Sequence, residues 1–405
     1  MSPIKGFLAR DQIKGRAMSQ VKGFLLPMIL LFCVFVLTGC SSLTLNEYSQ
    51  DIARMELVQA IGVDSKEEGI AVVAEVSDSE EGPKIISADG ATVDGALEKL
   101  RNYSSKERIF LAHTKHYVLG EQAAAEGVGK YLDFIERDMN MRINTPMFIV
   151  RGSDSYELMS AAIDEGADIA LILETFEKSL GLLSDGYVFT CADVAGNLQE
   201  NGCALVAAIE MGKSDDAERN DAATVPAGYA ILKDGKLLDY IDAELVGGAN
   251  IFLKGMNPDV LEIEDKNGNS IAFRVGVDKL ELQPVYQGER ITGVTIDMSL
   301  KASVEEVGGV IDIYDDEVLG GLCRSISNKI KRLGDRVLGL SQDLKTDFLN
   351  LEKNIQIKSP IEYSHLARPW ADAYPDIDFQ LRVETQIERT YDLMEPVGVS
   401  GESDG

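Results

Sequence analysis

The sequence predicts a multi-domain α+β protein in which mixed sheets pack against helices and a long amphipathic helix lies in the C-terminal domain. Its 405 residues are too many for one ordinary hydrophobic core. Strand-like and helix-like segments alternate over residues 51–181, hairpin signals dominate residues 182–270, and a stripe of helical period covers Leu319–Leu344. These patterns indicate an N-terminal α/β domain at 51–181, a middle hairpin-containing domain at 182–270 and a C-terminal α+β domain at 271–396.

The chain opens with an apolar run, Phe24–Leu37, which follows Lys22 and contains Pro27. The run has 14 residues, whereas a membrane-spanning helix needs about 20 apolar residues. Its length is therefore typical of the hydrophobic region of a signal peptide. It ends in "LTGC", Leu37 to Cys40, which resembles the bacterial lipobox. A short membrane anchor with an incidental cysteine is the alternative interpretation.

The lipobox resemblance implies a modification of Cys40. In signals of this kind the cysteine sulfur receives a diacylglycerol thioether, and a peptidase cuts before the cysteine, here between Gly39 and Cys40. We therefore predict a lipoprotein signal peptide at 1–39, with translation starting at Met1 or Met18, and a lipidated tether at 40–50. Since two acyl chains hold a protein firmly, we expect attachment to the outer face of the cytoplasmic membrane without a crossing.

The first domain is predicted from alternating strand and helix patterns. Thr92 is a suitable N-cap for the first helix, and Ser153 or Asp154 can cap a later one. The predicted elements are strands at Leu57–Val63 and Gly69–Val76, a helix after Thr92, a strand at Lys115–Leu119, a helix at Glu121–Arg137, a strand at Met147–Val150 and helices after Ser153 and over Asp168–Leu180.

The second half of the chain is rich in hairpin signals. Asp234-Gly235 and Asn267-Gly268 each separate two apolar stretches, which is the strongest short-range indication of a two-residue hairpin. A short helix lies between them, and a longer strand follows at Ile291–Val304. The stripe over Leu319–Leu344 predicts the longest helix, in which Gly334 and Gly339 weaken the helix or permit a bend. An amphipathic strand closes the fold, and residues 397–405 are predicted to be a disordered tail.

The charge of the chain argues against nucleic acid as a partner. The sequence has 67 acidic and 39 basic side chains and a net charge of −28. Without residues 1–39, which hold five basic side chains and one acidic one, 66 acidic and 34 basic side chains remain. Such a surface repels polyanions, and it also keeps an exported protein soluble.

The cysteines and histidines give no sign of a metal or redox site. Three thiols, Cys191, Cys203 and Cys323, follow the predicted lipid cysteine, and an odd number argues against a complete disulfide framework. Isolated buried thiols are favoured over a Cys191–Cys203 bridge. His113 and His116 lie three apart in a predicted strand and would face opposite sides, so a structural role is favoured over a ligand pair.

The sequence predicts no catalytic, cofactor-binding or metal-ligating residue. It lacks a Gly-x-Ser-x-Gly elbow, a phosphate-binding glycine loop and a Cys-x-x-Cys motif. The acidic pairs Glu80-Glu81 and Asp315-Asp316 are interpreted as solvated loop charges. We therefore predict a protein that is not an enzyme and carries no cofactor.

Several stretches in order resemble the Ger(x)C family, the C subunit of spore germinant receptors in endospore-forming bacteria. These are "VQAIGVD", "DGATVDGALEKL", "AHTKHYVLGEQAAAEGVGKYLDFIERDMNMR" and "GYAILKDGKLLDYIDAEL", followed by the long helix, a loop near Trp370 and the last strand. The similarity spans nearly all of the mature chain. It departs from the family in the tether, "SSLTLNEYS", where members often have aromatic and acidic residues.

The resemblance implies a three-domain α+β lipoprotein on the outer face of the spore inner membrane. There it would form a complex with an A subunit and a permease-like B subunit, through which nutrients trigger ion and dipicolinate release. The family brings no catalytic residues. Two other hypotheses are a solute-binding lipoprotein that delivers a ligand to a transporter, which would show two similar lobes, and an exported hydrolase.

Overall fold

A computed structural model describes residues 55–78, 82–103, 108–183, 187–212, 224–253, 259–264, 268–308 and 315–388, and all structural statements refer to these. The predicted signal peptide (1–39), tether (40–50) and tail (397–405) lie outside them. From Glu56 onward the described residues belong to one compact unit. The predicted α+β class is confirmed, because the unit holds two mixed sheets with packed helices.

The larger sheet is mixed. Along it the strand order is β3-β2-β1-β5-β6-β7-β8-β9, and β4 pairs with β1. The pairs β1–β5, β5–β6 and β6–β7 are parallel, and the flanking pairs are antiparallel. Its strands are β1 Met55–Lys66, β2 Gly69–Asp78, β3 Gly82–Gly90, β4 Arg108–Phe110, β5 His116–Leu119, β6 Met147–Val150, β7 Cys203–Met211, β8 Thr224–Lys233 and β9 Lys236–Ile241.

Helices cover both faces of this sheet and bury two apolar clusters. The associated helices are α1 Val93–Tyr103, α2 Glu121–Glu126, α3 Gly129–Arg137, α4 Ser155–Asp164, α5 Ile169–Leu183 and α6 Cys191–Asn201. On one face α4 and α5 pack over a cluster that includes Phe148 and Leu158. On the other face α1, α2, α3 and α6 pack over a cluster that continues into the second sheet. Every residue of β5 and β6 is buried, as expected of central strands that are covered on both faces.

The smaller sheet has the order β10-β11-β12-β13, and β12 and β13 are parallel. Its strands are β10 Asp259–Glu264, β11 Ser270–Gln287, β12 Arg290–Val307 and β13 Asp378–Glu388; the helices of this half are α7 Ala243–Asn250, α8 Asp316–Asp343, α9 Leu351–Lys358, α10 Pro360–Ser364 and α11 Trp370–Ala373. The long helix α8 packs against β13 and α7. Alternate residues of β13, Leu381 and Ile387 among them, are buried, as the amphipathic pattern predicts.

One of the two glycines of α8, Gly334, has a packing role that the sequence did not predict. A Cβ on Gly334 would lie 2.5 Å from Leu381 Cδ2 and 3.0 Å from Ile251 Cδ1. The missing side chain therefore lets α8 approach β13 closely, and the helix runs unbroken for 28 residues.

Tertiary packing divides the predicted helix Glu121–Arg137 into two. Gly127 adopts φ +137°, and Val128 donates a hydrogen bond to Gly235 O, so α2 ends and α3 begins.

The elements that were not predicted include β3, α6 and β7. Strand β7 joins β6 to β8, so strands from both sides of the predicted 181/182 boundary share one sheet. In the same way β10, from before residue 270, pairs with β11. The boundaries at 181/182 and 270/271 stay predictions about independently folding units.

Candidate functional site

The residue singled out from the sequence, Cys40, lies outside the described residues. The structure does show where the chain enters the fold. Strand β1 begins at the edge of the larger sheet from which the parallel strands β1, β5, β6 and β7 start, here called the N-terminal edge. The opposite edge, where these strands finish, is the C-terminal edge. In the described part of the chain, no helix is long and apolar enough to cross a membrane.

The C-terminal edge is where open α/β sheets bind ligands, and here a buried carboxylate occupies it. Asp64 lies at the point where β1 stops pairing with β5, and it is 1% exposed. Its Oδ1 accepts a hydrogen bond from Ser155 N at 2.6 Å. Its Oδ2 accepts hydrogen bonds from Ser155 Oγ at 2.9 Å and Tyr156 N at 3.0 Å. The start of α4, an anion-binding position in many proteins, is thus filled by the chain itself.

Close packing fixes this carboxylate. A Cβ on Gly120 would lie 2.2 Å from Asp64 Oδ1, so glycine is required where β5 leads into α2. Burial raises the pKa of Asp64 above its ordinary value, whereas the hydrogen bonds from Ser155 lower it. Asp154, the N-cap residue of α4, caps the same helix, because its Oδ1 accepts a hydrogen bond from Glu157 N at 2.7 Å. The start of α4 is therefore occupied by two carboxylates. The N–H groups of Ser155, Tyr156 and Glu157 all donate to acceptors within the chain, so none of the three is left for an external anion.

Glu75 accepts hydrogen bonds from the start of α5, as Asp64 does from the start of α4. It lies in β2, fully buried, and its Oε1 and Oε2 accept hydrogen bonds from Ile169 N at 2.8 Å and Ala170 N at 3.0 Å. Burial raises the pKa of Glu75 to about 8, with a further upward contribution from the charge of Asp168. The two backbone N–H groups act in the opposite direction. Both helices on this face of the sheet are thus held by a carboxylate from a strand.

A third acid, the partly buried Asp347, holds the start of α9. Its Oδ1 accepts from Leu351 N at 3.0 Å, and its Oδ2 accepts from Glu352 N at 2.8 Å and Trp370 Nε1 at 3.0 Å. Burial raises the pKa of Asp347 to about 7. In all three cases a carboxylate satisfies helix N–H groups that would otherwise lack partners. These acids hold helices in place.

Replacing Glu75 by glutamine is expected to change how stability depends on pH. Because its pKa is raised from 4.5 to about 8 in the fold, the wild-type protein is stabilised by the protonated form at low pH and loses that stability as pH rises towards 8. Glutamine mimics the protonated group and does not titrate. Urea unfolding should show that the free energy of unfolding of the variant rises by about 2 kcal/mol, relative to that of wild type, between about pH 6 and about pH 7.5. A difference that does not change with pH would contradict this assignment.

His113 and His116 lie in different secondary-structure elements and differ in exposure. His113 ends a 3-10 turn and is exposed, whereas His116 begins β5 and is buried. Neither ring nitrogen of His116 has a hydrogen-bond partner among the described residues, and Glu177 Oε2 lies 3.6 Å from Nε2. Burial lowers the pKa of His116 to about 4, as does the charge of Lys115. His116 is therefore a neutral side chain inside the apolar face, in edge contact with Phe148. The described residues contain no group of His, Cys, Asp and Glu side chains that could hold a metal.

The described cysteines are free thiols. Cys191 and Cys203 are buried and Cys323 is partly buried, so the alternative of a Cys191–Cys203 bridge is not formed. Burial raises the pKa of both Cys191 and Cys203 to about 12, which keeps them protonated and unreactive. Cys203 Sγ donates to Asp347 O at 3.3 Å.

Two acidic pairs were interpreted from the sequence as solvated loop charges. In one of them, Asp315 caps α8 by accepting a hydrogen bond from Glu317 N. The other, Glu80-Glu81, lies outside the described residues.

A surface groove of about 580 Å³ lies between the β1–β2 turn and helices α2 and α3. Its polar side chains contact each other. Glu126 accepts hydrogen bonds from Ser65 Oγ at 2.5 Å and Gln122 Nε2 at 3.3 Å, and it lies 3.6 Å from Lys130 Nζ. Charges of both signs that already pair with one another are typical of a solvated surface, and this groove assigns no ligand.

Sequence reasoning did not single out Asp64, Glu75 or Asp347. A weak signal exists for Asp64 and Glu75, because each one interrupts or directly follows apolar residues, as in "IGVD" and "VVAEV". An isolated acid in such a run is expected to find a buried partner. The partner of Asp64 is 91 residues away and that of Glu75 is 94 residues away, so the pattern alone could not identify them.

Comparisons with known proteins agree on one family. A family model described as "Spore germination protein N-terminal domain" matches residues 48–211, and one described as "Spore germination B3/ GerAC like, C-terminal" matches residues 227–391. A solved structure, "Crystal Structure of the GerBC protein", is similar with a TM-score of 0.52 and 16% identity, over 81% of this chain and 97% of that one. At that identity the similarity shows the fold alone. No curated protein matches.

Proposed function

The chain belongs to the spore germination protein family that these two models describe, and we propose that it is a lipid-anchored, non-enzymatic subunit of a nutrient germinant receptor. In this proposal the diacylglycerol on Cys40 holds it to the outer face of the spore inner membrane. It binds an A-type subunit and a permease-like B-type subunit there. The proposal agrees with the sequence resemblance to the Ger(x)C family.

The observation that carries the proposal is the sequence "LTGC" at the end of a 14-residue apolar run, ahead of a folded body of the matched family. Cys40 precedes Met55, the first residue of β1, by 15 positions. A chain of that length reaches at most about 50 Å when fully extended. The folded body of a protein anchored in this way stays next to the bilayer, where membrane-embedded subunits can contact it.

The arrangement of the buried acids supports a binding role over catalysis. General acids and bases in enzymes have shifted pKa values and face a site that a substrate can reach. Asp64, Glu75 and Asp347 have raised pKa values, but each one accepts hydrogen bonds from a helix start. Burial accounts for the raised pKa values, and the hydrogen bonds from the helix starts act in the opposite direction.

The proposal is tested by isolating the protein with its partners. A copy with an affinity tag on its C-terminus is expressed in place of the native gene, spore membranes are dissolved in mild detergent, and co-purified proteins are quantified by mass spectrometry. We expect an A-type and a permease-like subunit at roughly equal molar amounts with the tagged chain. An unrelated tagged lipoprotein of the same membrane is the control. Recovery of the chain alone, or with the same background as the control, would refute complex membership.

A further inference from the structure

Helix α5 covers one face of the larger sheet and is anchored there mainly at its start. Among its described side chains, the fully buried ones are Ile169, Ala170 and Leu173, all in its first two turns. They join the apolar cluster on that face of the sheet. Leu171 points outward and is 58% exposed. Of the described elements, α4 is the one that α5 contacts most closely, so the position of α5 depends on how its start is held.

Two carboxyl groups meet at this start. Glu75 accepts hydrogen bonds from Ile169 N and Ala170 N, as described above. Asp168, the residue before the helix, accepts a hydrogen bond from Leu171 N at 2.8 Å and also forms a side-chain hydrogen bond with Glu75. When two carboxyl groups share a site, ionisation of the first disfavours ionisation of the second. A single proton held between them therefore lets both groups stay at the helix start.

The sheet and α4 surround Glu75 with apolar side chains. Its cross-strand neighbours are Ala60 on β1 and Ile85 on β3. Helix α4 contributes Leu158 and Met159 to the cluster on this face. Burial in these surroundings raises the pKa of Glu75 to about 8, and the charge of the second carboxyl group adds to the rise. The proton on Glu75 is thus lost in a pH range close to neutrality.

The charged groups of β5 act further along α5. Lys115 Nζ pairs with Glu174 at 3.0 Å. His116 Nε2 lies 3.6 Å from Glu177 Oε2, and burial lowers the pKa of His116 to about 4, so this ring is neutral near pH 7. Lysine, glutamate and a neutral histidine do not change charge between about pH 7 and about pH 8.5. Glu75 is therefore the group in this cluster whose protonation changes in that range.

The link between α4 and α5 contains a glycine that can act as a hinge. Gly166 adopts φ +77°, in the left-handed region that favours glycine. A Cβ at this position would meet no atom within 4 Å, so the glycine serves the backbone conformation and not close packing. Two residues later α5 begins at Ile169. A change in the backbone angles of this link can move α5 while α4 keeps its place.

We propose that α5 is a lid on the apolar cluster of this face, which the proton on Glu75 holds closed and which opens when that proton is lost. In the closed form, one proton joins Glu75 and Asp168. When water takes up the proton, two carboxylates face each other in a buried place, and α5 turns about Gly166 so that Glu75 reaches water. Apolar side chains of the sheet, such as Phe148, then lose part of their cover. The opening is local and leaves the rest of the fold intact.

The test measures hydrogen–deuterium exchange of the full chain by mass spectrometry at about pH 7 and about pH 8.5, with rates corrected for the pH dependence of intrinsic amide exchange. Peptides from α5 report on the lid. Peptides from α4 are the matched control, because α4 covers the same cluster and is held by Asp64. Two variants are compared with wild type. Glu75→Gln does not titrate, and Asp168→Asn removes the second charge but keeps a side-chain oxygen for Leu171 N.

We expect the corrected exchange rate of α5 in wild type to rise about sixfold from about pH 7 to about pH 8.5, and that of α4 to stay constant. The sign follows because closed Glu75 binds its proton more tightly than opened Glu75, so higher pH favours opening. Glu75→Gln should abolish the rise. Asp168→Asn should reduce it to about twofold or less, because the pKa of Glu75 falls without the neighbouring charge.

Three results would overturn the lid. An equal rise in α4 would show that the whole fold opens and not α5 alone. A constant rate for α5 in wild type, or an undiminished rise in Glu75→Gln, would remove the proton on Glu75 as its control. The full wild-type rise in Asp168→Asn would contradict the pairing of the two carboxyl groups, and this variant decides the matter if Glu75→Gln does not fold.

Discussion

Replacing Cys40 by alanine is expected to move nearly all of the protein from the membrane fraction to the soluble fraction. The thioether cannot form without the sulfur, so both acyl chains are lost. Each buried CH₂ contributes about 0.8 kcal/mol to membrane attachment, and two acyl chains bury many such groups. The described residues offer no spanning helix to replace the lipid. Fractionation of cells after a high-salt wash, followed by immunoblotting, measures the effect.

The control for this variant is Cys323→Ala, which removes another cysteine sulfur that is partly buried and carries no predicted modification. It should leave the protein in the membrane fraction. Mass spectrometry of the wild-type membrane protein should detect a diacylglyceryl-modified N-terminus at Cys40. If the wild-type membrane protein instead keeps residues 1–39 and carries no diacylglyceryl group on Cys40, the alternative interpretation of a short membrane anchor is correct.

Replacing Asp64 by alanine is expected to lower the free energy of unfolding by about 3 kcal/mol. The change removes the acceptor of three hydrogen bonds and leaves the buried N–H group of Ser155 and the N–H group of Tyr156 without that partner. Part of the loss is offset, because burial raises the pKa of Asp64 and its charge is costly in the fold. Urea unfolding followed by circular dichroism gives the value.

Asp154→Ala is the matched control, because Asp154 caps the same helix from a more exposed position through Glu157 N. Loss of an ordinary N-cap costs about 1 kcal/mol. Asp64→Ala should therefore be clearly the more damaging of the two. Equal effects would show that Asp64 acts as an ordinary cap and that its burial against Gly120 contributes little.

Local signals in the sequence predicted many of the elements. The Asp234-Gly235 turn forms the β8–β9 hairpin, with both residues at positive φ as such turns require. Thr92 caps α1 by accepting from Gly95 N at 3.1 Å. The apolar stripe that ends at Leu344 is the helix α8. In each case the residues that determine the structure lie within one or two turns of each other.

Elements that depend on distant partners were missed. Strand β7, "CALVAAIEM", is apolar from Cys203 to Ile209 because it lies inside the sheet, and such a run has neither the strand nor the helix period. Strand β3 contains Pro83 and Lys84 and pairs only along one side, at the end of the strand order. Cys40 was identified because its signal is a local motif. Asp64 and Glu75 were not, because the helices that they cap lie about 90 residues further along the chain.

The central claim is that membrane attachment through Cys40 places this chain in a receptor that nutrients activate. The most direct test measures dipicolinate release after nutrient addition from spores whose only copy carries Cys40→Ala, beside spores with the wild-type or Cys323→Ala copy. We predict a release rate at least about tenfold lower for Cys40→Ala, and wild-type release for Cys323→Ala. Release at the wild-type rate from Cys40→Ala spores that hold the protein in soluble form would contradict the claim.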